Sequence, residues 1–333
     1  MTQPAITLDV VGIGNALVDV LSHENDQFLT DHDLVKGSMA LVDTERAGSL
    51  YDDMGPATEI SGGSVANTMV GVASFGGTAG FVGRVRDDEL GDVFAHDIRR
   101  SGVHFETPPA TNGPPTGRCL IVVTPDAERT LSTYLGAAAE IGPDDVSAEL
   151  IGSAQVTYLE GYLFDQPRAK EAFRAAARHA HDAGRRVALT LSDGFCVDRH
   201  RDDFLALIEH EVDILFANES EICTLYEVDS FDAALQHVAH QCEIAALTRS
   251  AKGSVVIKGD EVHVIDVHAV KGAVVDSTGA GDQYAAGFLY GFTNGYDLGR
   301  CGQLGSLGAS EVISHLGARP EISLAELAAS ALR

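Results

Sequence analysis

The sequence predicts an α/β protein built on a mostly parallel sheet with helices on both faces. Short apolar, β-branched runs alternate with helical stretches over most of the chain, the pattern of strands buried on both sides. Apolar residues make up 45% and charged residues 22% of 333 residues, a globular balance with length enough for a sizeable core. Several polar candidates fall just after predicted strands, where open α/β sheets bind ligands.

The predicted core strands are Asp9–Gly14, Thr78–Val85, Gln155–Glu160, Arg186–Leu191, Asp213–Ala217 and Ile244–Thr248. Each is a short run rich in Val, Ile, Leu or Ala. Helical spacing covers Ser64–Phe75, Glu89–Arg100, Pro167–Ala183, Asp202–His210, Ser220–Tyr226, Phe231–His240 and Gln283–Phe292. Gly259-Asp260 is a two-residue turn signal, so Ser254–Lys258 and Glu261–Val267 form a hairpin. Two stretches break the rhythm. Met39–Val42 and Thr58–Ile60, then Cys119–Val123 and Thr130–Tyr134 around Thr124-Pro125-Asp126, read as antiparallel strands inserted into the α/β chain. A small sheet there, hanging off the C-terminal edge, is expected to cover a site as a lid. No repeat or linker divides the chain, so one domain is expected over residues 1–333, with lid strands inserted at about 38–60 and 104–135.

The formal net charge of −26 argues against a nucleic-acid-binding surface and against adhesion to an anionic membrane; spread along the chain, it reads as a solubilising surface. Met1–Val10 lacks the charged start and apolar core of a signal peptide, and no apolar run reaches the length of a membrane span. Five cysteines without a C-x-x-C pair read as buried thiols of a reducing cytoplasm. Thirteen histidines include His237 and His240 at helical spacing, but no metal-binding signature.

The most informative run is Asp276-Ser-Thr-Gly-Ala-Gly-Asp282, between an apolar stretch and a helix. Gly279, Ala280 and Gly281 let a ligand approach the backbone, and their N–H groups fall at a helix N-terminus that favours an anion. Asp282 sits in the first turn. An anion cradle beside a carboxylate suits phosphoryl transfer to a hydroxyl: the cradle stabilises charge on the phosphoryl group, and the carboxylate takes the proton. Gly62-Gly63-Ser64-Val65-Ala66-Asn67 opens another helix, and the Asn67 amide can bond a hydroxyl. Asp19, just beyond the first strand in Asn15-Ala16-Leu17-Val18-Asp19, can grip a vicinal diol. Asn218 and Glu221 are three apart at a helix start. They could hold waters around Mg²⁺ or form a capping box. Thr248 and Gly253 follow a strand and could border a nucleotide. Gly12-Ile13-Gly14 lacks the third glycine of a dinucleotide fingerprint, and no P-loop sequence occurs.

Taken in order, Gly62-Gly63 with Asn67, Asn218-x-x-Glu221, Thr248 with Gly253, and the run 276–282 resemble the ribokinase-like (PfkB-type) carbohydrate and nucleoside kinases over nearly the whole chain. The resemblance implies a three-layer α/β/α sandwich with a β lid. It implies ATP as co-substrate, Asp282 as base and Gly279–Asp282 as the anion hole. Asp19, Gly63 and Asn67 would contact the sugar, and Asn218 and Glu221 would serve phosphate and Mg²⁺, Glu221 through water. It further implies K⁺ at Asp276 and Thr278, with carbonyls from around Val312 to Gly317. Gly14-Asn15-Ala16-Leu17-Val18-Asp19 and Gly161-Tyr162-Leu163 look like the adenosine-kinase branch, whereas Ser64-Val65-Ala66-Asn67 resembles the sugar-kinase version. Adenosine is the expected acceptor; the alternative is ribose, fructose or a keto-sugar acid. Tyr134, Phe164 and Phe195 are candidate stacking aromatics or core residues. Glu160 and Arg118, polar residues on apolar strands, are candidates for substrate contact or for structural pairing. Exposed lid strands could pair between two subunits as a homodimer, though the sequence does not give the oligomeric state.

Overall fold

A computed structural model describes residues 7–331 apart from 127 and 271. Residues 1–6, most of the Met1–Val10 stretch, lie outside it. Fourteen strands are described: β1 (Leu8–Ile13), β2 (Leu17–His23), β3 (Met39–Leu41), β4 (Ala57–Gly62), β5 (Ala79–Val82), β6 (Val103–His104), β7 (Gly117–Val123), β8 (Arg129–Tyr134), β9 (Ala154–Glu160), β10 (Arg186–Thr190), β11 (Ile214–Asn218), β12 (Ile244–Thr248), β13 (Ser254–Lys258) and β14 (Glu261–Ile265).

Nine of them make the main sheet, in the order β14-β13-β12-β11-β10-β9-β1-β5-β6. The seven strands from β12 to β6 are parallel; β13 and β14 close one edge as an antiparallel hairpin. Successive side chains point to opposite faces, and both faces are apolar. Val11, Ile13, Leu159, Val187, Leu189 and Leu215 pack on one side with helices Pro167–Asp182, Gly194–Glu211 and Phe231–Val238. Val10, Val156, Tyr158, Ala188 and Phe216 pack on the other with helices Ser64–Ser74, Glu89–Arg100 and Ala280–Thr293. The predicted three-layer sandwich is what forms. Leu189 is fully buried, so Leu189→Ala is expected to cost about 2–5 kcal/mol.

Helix boundaries follow local chemistry. Asp88 and Asp193 cap their helices by accepting amide bonds from Gly91 and Cys196, each cap worth about 1 kcal/mol. The Asp193 cap starts a helix eight residues before the expected Asp202, with non-helical backbone only at His200. Helix Ala280–Thr293 also begins earlier than its apolar spacing indicates, directly on the glycine turn.

The second sheet has the order β3-β8-β7-β2-β4. Its strands were expected to be antiparallel. Two pairs are (β2 with β4, β7 with β8), but β2 with β7 and β3 with β8 are parallel. The difference comes from β2, which the sequence did not announce as a strand. Only three residues separate it from β1, so a single apolar run crosses from one sheet into the other.

All five cysteines are free thiols; four are buried and Cys223 is half-buried. Among the described residues no His/Cys/Asp/Glu cluster could hold a metal, and no helix is long and apolar enough to cross a membrane.

Candidate active site

Between the C-terminal ends of the main sheet and the underside of the second sheet lies a cavity of about 590 Å³. Two helix starts make its floor. Helix Ser64–Ser74 begins after Gly63, whose φ of +103° and contact with Asn15 O, 2.1 Å from where a Cβ would sit, admit only glycine. Helix Ala280–Thr293 begins after Gly279 at φ +77°, packed so tightly on Ala318 that a Cβ would meet it at 2.6 Å. The two starts bring Ser64, Asn67 and Asp282 together. Ser64 Oγ donates to Asp282 Oδ1 at 2.6 Å, and Asn67 Nδ2 lies 3.5 Å from Oδ2. Burial pushes the Asp282 carboxyl up to about 7; the Ser64 bond opposes this, and the nearby charges of Glu160 and Asp19 add to it. A carboxylate so tuned is a proton acceptor matched to neutral pH.

The cradle is partly committed within the protein. The Ala280 amide donates to Ser277 O at 3.2 Å. Among the described residues nothing takes the amides of Gly279, Gly281 or Asp282, which are the orphan donors of the helix start. Gly281 has open space around it.

Asp19 lies on β2 in the second sheet, not in the loop after β1. Its side chain points into the cavity against Gly62, where a Cβ would meet the carboxylate at 2.4 Å. Burial raises its pKa to about 6, while the positive charges of Arg319 and Arg129 draw it back. Asn218 and Glu221 form the capping box that the sequence left open. Glu221 N donates to Asn218 Oδ1, Asn218 N to Glu221 Oε2, and Asn218 Nδ2 to Glu221 Oε1, at 2.9, 2.9 and 2.5 Å. Both still line the cavity, and burial lifts the Glu221 carboxyl to about 7. Thr248 lines it as well. Asn218 and Thr248 also border a neighbouring open cleft of about 1170 Å³, so this end of the cavity opens toward a second space.

Three expected residues do not line the cavity. Gly253 is buried at a turn against Ile265, Gly62 serves by giving Asp19 room, and Asp276 lies behind Thr278. Asp276 Oδ1 accepts from the Thr278 amide and hydroxyl at 2.9 and 2.6 Å; Oδ2 accepts from the Gly317 amide at 3.1 Å and pairs with Arg129 of β8. The three candidate stacking aromatics are elsewhere too. Tyr134 bonds Thr44, Phe164 stacks on Phe204 in the core, and Phe195 is 82% exposed. Phe216 and Tyr162 line the cavity instead. Glu160 is a structural acid, accepting from the Asn15 side chain and amide and from the Val65 amide at 2.6, 3.3 and 3.0 Å. Arg118 lies over the Tyr51 ring.

Ser64, Arg129 and Arg319 were missed. Ser64 stood in a quoted motif whose only named donor was Asn67. Arg129 sat one residue before a predicted lid strand, with no signal of its direction. Arg319 lies in an irregular loop without a pattern.

Fold and site together define a ribokinase-like α/β/α protein with a helix start of unpartnered amides beside a carboxylate. The model of the pfkB family of carbohydrate kinases matches residues 39–324, and the chain belongs to that family. A probable sugar kinase from Rhizobium etli superposes with a TM-score of 0.90 at 52% identity, covering 99% of both chains. Adenosine kinase from Sinorhizobium meliloti superposes with a TM-score of 0.89 at 51% identity, covering 97% of this chain and 99% of that one. Adenosine kinase of Saccharomyces cerevisiae is 26% identical over 314 residues, 88% of this chain and 91% of its own.

Proposed function

We propose that the protein is an ATP-dependent kinase that phosphorylates the primary hydroxyl of adenosine. One observation carries the reading: the Asp282 carboxylate, fixed by Ser64, shares one cavity with free helix-start amides and with Asp19. The acceptor's diol lies against Asp19 and Asn67, with Gly63 close to it. Its primary hydroxyl gives its proton to Asp282 as the oxygen attacks the γ-phosphorus. The new O–P bond forms as the bridging P–O bond breaks, and ADP leaves with that electron pair. The amides of Gly279 and Gly281 face the charge on the transferred group. Asn218, Thr248 and Glu221 border the nucleotide's phosphates, and Gly253 shapes the turn beside them.

The cavity favours a nucleoside over a free sugar. Leu17, Leu21, Ile60, Ile121 and Leu131 face it from the second sheet. A free sugar gains little from five aliphatic side chains, whereas a purine has two apolar faces to bury. The adenosine kinase from S. meliloti, at 51% identity, supports the same choice. The sugar-kinase alternative rests on the R. etli relative.

Glu221, which lines the cavity, would hold a Mg²⁺ ion through its water shell, since the described residues offer no all-protein cage. Such an ion would neutralise charge on the phosphates. K⁺ at Asp276 and Thr278 belongs to the proposal in a qualified form: Arg129 already neutralises that carboxylate, so K⁺ dependence requires Arg129 to withdraw. We read the chain as one kinase domain with an inserted lid whose closure excludes water, located in the cytoplasm. A homodimer pairing at β3, where Met39 and Leu41 are exposed, completes the proposal; light scattering tests it.

The deciding experiment is a panel of labelled-ATP reactions with adenosine, ribose, fructose and a keto-sugar acid, with and without K⁺. Turnover of adenosine supports the reading. Inert adenosine with turnover of a free sugar replaces it.

A further inference from the structure

Arg319 lies just past the Gly317-Ala318 turn that follows helix Leu298–Val312. Its guanidinium spreads three ways. Nε donates to Asn67 Oδ1 at 3.0 Å, Nη1 to Asp97 Oδ2 at 2.9 Å, and Nη2 to Ser61 Oγ at 2.8 Å. Asp97 Oδ2 also accepts from the Ser61 amide and hydroxyl at 2.9 and 2.6 Å. One buried planar fork thus ties the strand leading to Gly63, the helix Glu89–Arg100 and the amide of Asn67. The Arg319 side chain is only 14% exposed.

The contact with Asn67 has a consequence for the cavity. The two ends of an amide side chain are nearly the same shape, and either can face a ligand. Arginine has only donors, so Arg319 holds the Asn67 oxygen on itself and leaves Nδ2 toward Asp282 and the acceptor. A donor is thereby presented where a hydroxyl oxygen sits. The same cation is one of the two positive charges drawing Asp19 toward its ionised form. The turn before Arg319 is held to the floor as well: Gln283 Nε2 donates to Asn67 O at 3.1 Å and to Ala318 O at 3.0 Å. Lysine could replace the charge but not the fork.

We propose that Arg319 is a positioning residue for the acceptor: it fixes which way the Asn67 amide faces, setting acceptor binding without touching the phosphate end. This rests on the reading of Asn67 as an acceptor-binding residue.

A double-mutant cycle tests it, with Arg319→Gln, Asn67→Ala and the pair, scored by KM for acceptor, KM for ATP and kcat. Arg319→Gln is expected to raise acceptor KM by roughly 10- to 100-fold, the range for loss of a charged hydrogen bond, and to leave ATP KM within about twofold. In the Asn67→Ala background the same change is expected to shrink to under about threefold, because the coupled partner is gone. An equal factor in both backgrounds overturns the proposal, as does an equal rise in ATP KM. If Arg319→Gln does not fold, Arg319→Lys decides: an intermediate acceptor KM supports the amide-orienting role, and a wild-type KM overturns it. The cycle uses whichever acceptor the panel turns over, so an inert adenosine removes the functional reading while Arg319 is still judged on the sugar. If nothing turns over, the same cycle is read on adenosine affinity by calorimetry.

Discussion

On the floor of the cavity, Asp282 is held by Ser64, Asn67 by Arg319, and Glu221 by Asn218, each through hydrogen bonds of defined direction. The roof is different. It presents Leu17, Leu21, Ile60, Cys119, Ile121 and Leu131, relieved by Thr58 and two charges, Asp19 and Arg129. The floor belongs to the starts of helices anchored in the main core, whereas the roof is a sheet whose cavity face carries a small apolar cluster of its own, Cys119, Ile121 and Val123 with Leu21 and Leu131, while its other face joins the core through Val18, Val20 and Leu120. A reacting carboxylate must stand within tenths of an ångström of its target, which rigid helix starts provide. A surface that chooses an acceptor and sheds water needs area and apolarity more than directed bonds. The comparison predicts that changes at Asp282 and the glycine turn of the floor act on kcat and roof changes on acceptor KM, with the Asn67–Arg319 pair the one floor element that acts on the acceptor.

The largest effect is expected from Asp282→Asn. It removes the proton acceptor while keeping shape, so kcat should fall about 10²- to 10⁴-fold with modest change in either KM; steady-state kinetics checks it. pH comes next. Asp282 and Glu221 titrate near 7 and Asp19 near 6, all raised chiefly by burial. Their active forms are ionised, so activity rises with pH through this window. Below pH 6, kcat/KM for the acceptor should drop by more than about tenfold per pH unit, whereas kcat alone should drop more gently. A flat profile from pH 5 to 8 would sink the tuned-base account.

Gly279→Ala should lower kcat by about 10- to 100-fold, because the added methyl meets Ala318 at 2.6 Å and displaces cradle amides. On the roof, Ile121→Ala should raise acceptor KM about three- to tenfold and leave kcat nearly unchanged. A larger loss in kcat than in KM would erase the distinction between roof and floor. The smallest effect is thermal. The folded-state pKa of Asp282 lies above its ordinary 3.8, so its contribution to stability is full below that value and is lost as pH rises through about 7. Asp282→Asn removes the buried charge and should raise Tm by roughly 2–4 °C at pH 8, with the difference vanishing below pH 4, as read by calorimetry.

The main sheet was legible because each strand is a short β-branched run and each helix repeats at its own period; Ile244–Thr248 and Glu89–Arg100 fall where the pattern put them. The floor of the site was legible for a related reason. Gly279 and Asp282 are neighbours in sequence, so their geometry is local. The roof was not. Leu17, Asp19 and Leu21, and likewise Ile121 with Cys119, alternate as strand residues do, but alternation does not say which face meets the cavity. Nor did it reveal that β2 leaves the main sheet for the second one. Asn218-x-x-Glu221 carried two meanings at once, and the hydrogen bonds show the cap.

By itself the sequence determined the layered α/β core, the two glycine-opened helix starts and the carboxylate at 282 beside one of them, because each depends on residues within a few positions of one another. Tertiary structure alone decided that Asp19 hangs from the roof, that Arg129 pairs with Asp276, and that Arg319 turns the Asn67 amide. Those contacts join residues 147 to 252 positions apart, or depend on how one sheet faces another. No local pattern encodes such a direction; it is set when the packed core brings distant segments together and their buried polar groups must find partners.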